Sequence, residues 1–271
     1  MGDRKIILIT GASAGIGLVT ALKLLGEGHT VFGGARRVDA MKPIVDAGGT
    51  AFALDVTDDA SMRAAVDTVI AKEGRIDVLV NNAGYGLYGA VEDIPMEAAR
   101  AQMEVNIFGL ARMTQLALPH MRSQKSGTII NLSSVGGTIY LPMGAWYHGA
   151  KHMVEGFSDA LRIEVAPHGI DVAIICPGGI RTEFNDVMTK NILKYSGEGP
   201  YSAMAKVLAR GASSDRGSDP QVIAKDISHA VNARRPKTRY RSGQMSVSLQ
   251  KLRRLLPDRW FDGIVKSALK L

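Results

Sequence analysis

Short, continuously apolar runs alternate along this chain with longer stretches whose apolar residues recur at helical spacing, and that alternation limits the folds open to it. Residues 5–10 (KIILIT), 30–35, 50–55 (TAFALD), 78–82 (VLVNN), 127–133 (GTIINLS) and 171–176 (DVAIIC) read as strands, with residues 238–242 as a seventh. Residues 15–27 place Ile16, Val19, Leu22 and Leu25 on one side of a helix, and residues 58–73, 96–122 and 145–166 read as further helices. A strand that is apolar on both sides must be covered on both, and helices between successive strands supply the cover. The pattern predicts an α/β fold. It is a single Rossmann-type doubly wound parallel sheet of about seven strands with helices on both faces, and its ligands belong at the carboxyl ends of the strands.

The rhythm breaks between residues 183 and 219, a Gly-, Ser- and Lys-rich stretch with short helical pieces that reads as a lid. No linker precedes residue 180, so residues 1–245 are expected to form one domain, followed by a basic helical extension at 246–271. No apolar run reaches the roughly 18–20 residues of a membrane span, and the run at 6–9 is too short for a signal segment. The single cysteine, Cys176, cannot form an internal disulfide and fits a reducing cytosol, so a cytoplasmic protein is expected. Behind an apolar strand and before Pro177, Cys176 reads as buried and inert. No cluster of metal-ligating residue types stands out, and no metal is expected. The net charge of +7 owes much to basic residues between positions 234 and 259. With no nucleic-acid motif beside them, they read as a solvated basic face, and no nucleic-acid partner is expected.

Between the first strand and the first helix lies TGASAGIG, residues 10–17. There Gly11, Gly15 and Gly17, with Ser13 and Ile16, let backbone approach a pyrophosphate at the helix N-terminus, where unpaired N–H groups favour an anion. The second strand ends at Ala35-Arg36-Arg37. An acidic side chain there would bind the ribose hydroxyls of NAD; two arginines instead suit a 2′-phosphate, with Ser13 adding a hydroxyl. NADP(H) is therefore the expected cofactor, with NAD(H) as the alternative. Asp55 and Val56, after the third strand, are placed to meet the adenine edge. Capping of the helix that begins near Asp58 is the other reading of Asp55, with Thr57 competing for that role.

Four motifs in order carry a family resemblance: TGASAGIG (10–17), NNAG (81–84), Ser134 followed thirteen residues on by YHGAK (147–151), and PGGIRT (177–182). With Asn106 between them, they make residues 5–182 resemble the short-chain dehydrogenase/reductase family. The resemblance implies that Tyr147 is the general acid in reduction and the base in oxidation. A free phenol, with a pKa near ~10, transfers protons poorly at neutral pH. Lys151, one helical turn on, would lower that value by its charge and hold the nicotinamide ribose. Ser134 would hydrogen-bond the substrate oxygen; Ser133, next to it in an extended strand, points to the opposite face. Asn106 would anchor a water that leads to Lys151. The resemblance also places Asn82, Ala83 and Gly84 beside the cofactor. Pro177, Gly178 and Ile180 would run under the nicotinamide, with Ile180 and Thr182 meeting its carboxamide and phosphate. His148 is expected to point away from Tyr147, as a helix-surface residue.

The function so implied is an NADP(H)-dependent oxidoreductase interconverting a carbonyl and a secondary or primary alcohol. A non-catalytic dinucleotide-binding sensor or scaffold is the alternative, and such a protein would not need a proton donor. Few charges lie between residues 136 and 146, which favours an apolar or lipid-like small molecule. Its expected walls are Tyr140, Leu141, Pro142, Met143, Phe184, Met188, Ile192 and Tyr195. Residues 85–95 and 105–122 are similar to the retinol and 17-beta-hydroxysteroid dehydrogenase branch of the family. A homodimer or homotetramer through the helices at about 97–122 and 145–166 is implied as well. In the extension, Leu249, Leu252, Leu255, Leu256, Trp260, Phe261, Ile264, Val265 and Leu269 alternate with basic residues. Such a segment can lie on a membrane surface. Packing over the substrate cleft or against another subunit is the preferred expectation, because Pro257 divides it into two short pieces.

Overall fold

The computed structural model describes residues 3–211 and 217–269. Seven strands form one sheet: β1 (Ile6–Thr10), β2 (Thr30–Ala35), β3 (Thr50–Ala53), β4 (Val78–Asn81), β5 (Gly127–Leu132), β6 (Ile170–Pro177) and β7 (Arg239–Ser242). Their order is β3-β2-β1-β4-β5-β6-β7, and every pairing is parallel. The connections run outward in one direction from β1 and in the other from β4, so a crevice opens between the carboxyl ends of those two strands.

Because successive side chains on a strand face opposite ways, the sheet has two cores. On one face Ile7, Ile9, Val78, Val80, Ile130 and Ile175 meet α1 (Gly15–Gly26) through Ala21 and Leu24. On the other, Leu8, Leu79, Ile129 and Val172 meet α3 (Asp59–Glu73) through Met62 and Val66. The short α2 (Lys42–Asp46), between β2 and β3, has no counterpart in the periodicity; Pro43 stands in its first turn and Ile44 is its buried anchor.

The expected long helix from residue 96 is three consecutive pieces: α4 (Met96–Met103), a π-helical turn at Glu104–Gly109, and α5 (Leu110–Gln124). A π turn carries an extra residue and so changes which side chains face the sheet; here it brings Asn106 inward. Gly109 closes it because a Cβ there would lie 2.5 Å from the Val56 carbonyl oxygen. α6 (Ala145–Val165) follows β5. Between these layers a buried amide chain ties the sheet to its helices. The Asn81 side-chain amide donates to Thr114 Oγ1 (3.0 Å) and Asn131 Oδ1 (2.9 Å), and the Asn131 amide donates to Ser158 Oγ (2.9 Å).

After β6 the chain leaves the sheet to form α7 (Phe184–Ser196) and α8 (Ser202–Gly211). Residues 212–216 of the expected lid lie outside the described residues. The chain rejoins through a bridge of Ile180 to Ser218 and then forms α9 (Gln221–Asn232), which packs beside α1. Two last helices, α10 (Ser246–Leu255) and α11 (Asp258–Leu269), complete the described chain. Among the described residues no helix is long and apolar enough to cross a membrane.

Candidate active site

The glycine turn is tight because β4 crowds it. Gly11 has φ +68°, and a Cβ there would lie 2.8 Å from Ala83 Cα; a Cβ on Gly17 would collide with the Gly11 carbonyl oxygen. Thr10 and Asn82 hold the contact. Thr10 Oγ1 accepts from the amides of Asn82 (3.1 Å) and Ala83 (3.0 Å), while Asn82 Nδ2 donates to the carbonyls of Thr10 and Gly11 (3.0 Å each). Asn82 thus acts by bracing the turn. Ser13 and Ile16 are half-buried within it. α1 begins with no side-chain cap at Ala14 and no acidic residue in its first turn, so its first N–H groups are left for an anion in the crevice. Thr182 closes the opposite wall: its Cγ2 would be 3.3 Å from a Cβ on Gly15. These features fit a dinucleotide pyrophosphate.

Arg36 and Arg37 are both exposed at the end of β2. The Arg37 guanidinium reaches Glu183, just before α7, at 3.1 Å. Arg36 lies near Asp55 and helps hold its carboxyl below the usual range, after the larger effect of the Thr57 amide. Asp55 accepts from the Thr57 amide (3.0 Å) and hydroxyl (2.8 Å), whereas the cap of α3 is Asp58, which accepts from the Ala60 amide (3.0 Å). Val56 is buried against Gly109. Pro177 ends β6, and Gly178 is glycine because a Cβ would strike the Gln244 carbonyl. Ile180 is buried, with its Cδ1 against Gly243.

Tyr147 and Lys151 are buried side by side on α6, the Lys151 Nζ 5.9 Å from the Tyr147 ring centroid. Burial pushes the Tyr147 phenol up to about 12, and its hydrogen bond with Ser134 pulls the other way. Burial lowers the Lys151 ammonium to about 8, opposed by the Glu155 carboxylate. Burial is the larger influence on the Tyr147 phenol in this structure, where Lys151 Nζ donates to the Leu132 carbonyl at 2.7 Å. Asn106 is buried and grips the backbone of Tyr85, accepting from its amide (3.0 Å) and donating to its carbonyl (2.9 Å). Asn106 and Lys151 both flank Gly84, where a Cβ would lie 3.1 Å from Asn106 Oδ1 and 3.8 Å from Lys151 Nζ. Cys176 is buried; burial pushes its thiol up, and it donates to Glu155. No group of metal-ligating side chains occurs among the described residues.

His148 corrects the expectation of a surface bystander. It is buried, and its ring stands edge-on to Tyr147 at 5.8 Å and to Tyr88 at 6.0 Å. A carbonyl only accepts and an amide N–H only donates, so its partners fix one neutral tautomer. Nδ1–H donates to the Gly136 carbonyl (3.0 Å), and Nε2 accepts from the Leu141 amide (3.1 Å). Burial lowers its pKa to about 4. Gly136 in turn donates its amide to Ser134 Oγ at 3.0 Å. His148 thereby fastens the loop that orients the Ser134 hydroxyl. The α6 spacing turned His148 away from Tyr147, and the loop that folds back over residue 148 has no periodicity to announce it.

The apolar surroundings of Tyr147 differ in part from the expected walls. Met143, Phe184, Met188 and Ile192 join it, with the Phe184 ring 5.3 Å away. Tyr88, Tyr201, Met204 and Leu208 belong to the same cluster and were not foreseen, since three of them come from α8 or its approach. Leu141 and Pro142 are half-buried outside it. Tyr195 packs instead with Leu87 and Ile94, and Tyr140 turns away to Phe261.

A family model described as short chain dehydrogenase matches residues 5–192. A 3-ketodihydrosphingosine reductase of Bacteroides thetaiotaomicron is 37% identical over 261 residues, covering 94% of each chain. An NADPH-dependent 3-dehydrocapnine reductase of Ornithobacterium rhinotracheale is 32% identical over 278 residues, covering 98% of each. The crystal structure of a short-chain dehydrogenase from Streptomyces avermitilis superposes with a TM-score of 0.82 at 33% identity, covering 99% of this chain and 96% of that one.

The bonds of His148 predict a pH signature. Above about pH 6.5 the residue is neutral folded or unfolded; between about 6.5 and 4 only the unfolded chain takes the proton, so stability falls as pH drops through that window. The loss is about 3 kcal/mol at most. His148→Asn removes the titration. Its melting temperature is expected to fall less steeply from pH 7 to 4.5 than that of the wild type, and equal slopes would show that His148 does not titrate with folding.

Proposed function

The chain belongs to the short-chain dehydrogenase family and is an NAD(P)-dependent oxidoreductase, and from that premise we propose that it uses NADP(H) to interconvert an apolar, lipid-like ketone and its alcohol. The observation that carries this reading is the burial of Tyr147 in one cluster with Tyr88, Met143, Phe184 and Met188, while Ser134 and Lys151 stand against it. Two relatives named for reducing 3-ketodihydrosphingosine and 3-dehydrocapnine, the second NADPH-dependent, support the ketone class and the cofactor. The sensor reading has no comparable support, because a binder has no use for a buried proton donor.

When bound, the nicotinamide supplies or takes the hydride. Gly11, Ser13, Gly15, Ile16 and Gly17 hold the pyrophosphate at the α1 N-terminus, and Arg36 and Arg37 hold the 2′-phosphate. Asp55, Val56, Asn82, Ala83 and Gly84 line the adenosine side, and Pro177, Gly178, Ile180 and Thr182 the nicotinamide side. Ser134 donates to the carbonyl oxygen as negative charge grows there. Tyr147 gives its phenolic proton to that oxygen, and the Lys151 ammonium stabilises the phenolate left behind. Asn106 fixes the backbone beside Lys151. α7 and α8 act as the lid that excludes water. Exposed Phe108, Met153 and Ile163, on the π turn and α6, favour a homo-oligomer through those helices.

Three measurements test this. Tyr147→Phe is expected to leave NADPH affinity unchanged in a fluorescence titration and to lower kcat by roughly 10²–10⁴-fold; full activity would remove Tyr147 from the chemistry. Arg36→Asp is expected to weaken NADP(H) relative to NAD(H) by roughly 10- to 100-fold in kcat/KM; an unchanged ratio would remove Arg36 from 2′-phosphate binding. In a series of methyl ketones followed by NADPH absorbance, kcat/KM should rise with chain length, by up to roughly fourfold per buried methylene. A flat series would rule out the apolar substrate.

A further inference from the structure

The C-terminal helices use one side and leave the other bare. On α11, Phe261 is buried edge-on against Tyr140 at 5.2 Å, and the Tyr140 hydroxyl donates to Asp262 at 2.9 Å. The Arg253 guanidinium of α10 lies over both rings, at 5.3 and 5.6 Å. The helix is thus held against the body through Tyr140. Its period then turns Trp260 and Ile264, one turn apart, toward solvent: they are 70% and 44% exposed, and Leu255 at the end of α10 is 79% exposed.

Scattered exposed apolar residues are ordinary; the charges around these are not. The two acidic side chains of α11 are both engaged, Asp258 with Arg253 and Asp262 with Tyr140. Lys251, Arg254, Arg259 and Lys266 are exposed and, among the described residues, form no ion pair. The outward surface therefore combines an indole, two aliphatic side chains and four cations with no free carboxylate from α11. A second copy of the chain is a poor occupant, since a two-fold contact would press those cations against their own images. A negatively charged bilayer surface neutralises them and takes the indole at headgroup depth.

We infer that the outer face of α10 and α11 docks on an anionic phospholipid surface, with Leu255, Trp260 and Ile264 entering the headgroup layer and Lys251, Arg254, Arg259 and Lys266 meeting its phosphates. α11 also touches α8 and, through Tyr140, the loop between Ser134 and Tyr147. Docking sets that side of the site toward the lipid. The inference goes beyond the proposed reaction, and its test needs no turnover.

The full chain is mixed at low salt with vesicles of phosphatidylcholine alone or of phosphatidylcholine with phosphatidylglycerol, then sedimented. It is expected to pellet with the mixed vesicles and to stay in solution with the neutral ones. Tryptophan emission should shift to the blue and be quenched by brominated lipid, and the quenching should vanish in Trp260→Ser. Arg254→Glu with Arg259→Glu should cut partitioning at least ~10-fold, with the melting temperature unchanged because both side chains are exposed. Failure to pellet with the mixed vesicles, or undiminished binding by these variants, overturns the inference. So does lipid-free self-association lost in the same variants, which would assign the face to a second copy.

Discussion

Everything at the site depends on how closely two backbones approach at the carboxyl ends of β1 and β4. The turn after β1 must pass the turn after β4 with no room for a side chain at Gly11 or Gly17. A single hydroxyl, that of Thr10, satisfies two amides across the gap, and one side-chain amide, that of Asn82, satisfies two carbonyls. The approach puts the start of α1 over the switch in strand order. Ser134 then lies at the end of β5, in the same crevice, and α6 brings Tyr147 and Lys151 to it.

Burial is the second common cause. Tyr147, Lys151 and His148 are all shifted toward their neutral forms because they lose water, the first to about 12, the second to about 8 and the third to about 4. At neutral pH the phenol therefore holds its proton, the imidazole stays uncharged and the amine carries the one positive charge of the three. That distribution suits a site in which a proton leaves the phenol while a cation waits beside it. His148, fixed in one tautomer, contributes a rigid loop without adding a competing charge.

Much of this was legible in the letters, because parallel strands buried on both faces leave continuous apolar runs; the edge strand β7, RYRS, carries no such run and buries only Tyr240. What stayed hidden were features set by contacts distant in sequence. The π turn at Glu104–Gly109 interrupts a stretch whose apolar spacing reads as one helix, and its last residue, Gly109, has no room for a Cβ beside Val56. The buried amides of Asn81 and Asn131 join β4, β5, α5 and α6, partners that no local pattern announces. Tyr140, read as a wall of the substrate pocket, is drawn to Phe261 and Asp262 more than a hundred positions away. Tyr88, from a loop without periodicity, stacks on Tyr147 at 5.4 Å.

The excursion after β6 leaves and returns at almost one point. Ile180 bridges Ser218, the amides of Arg181 and Ser218 donate to the carbonyls of Ser218 and Gly179 (2.9 Å each), and Arg181 reaches Asp219 at 3.3 Å. A segment whose two ends are already joined loads no strain onto the sheet, and lengthening it adds only a slowly growing closure entropy. The helices over Tyr147 are in that sense a cassette. They can be resized without moving the strand ends beneath, while the apolar cover they give Tyr147, and with it the phenol's hold on its proton, changes with them.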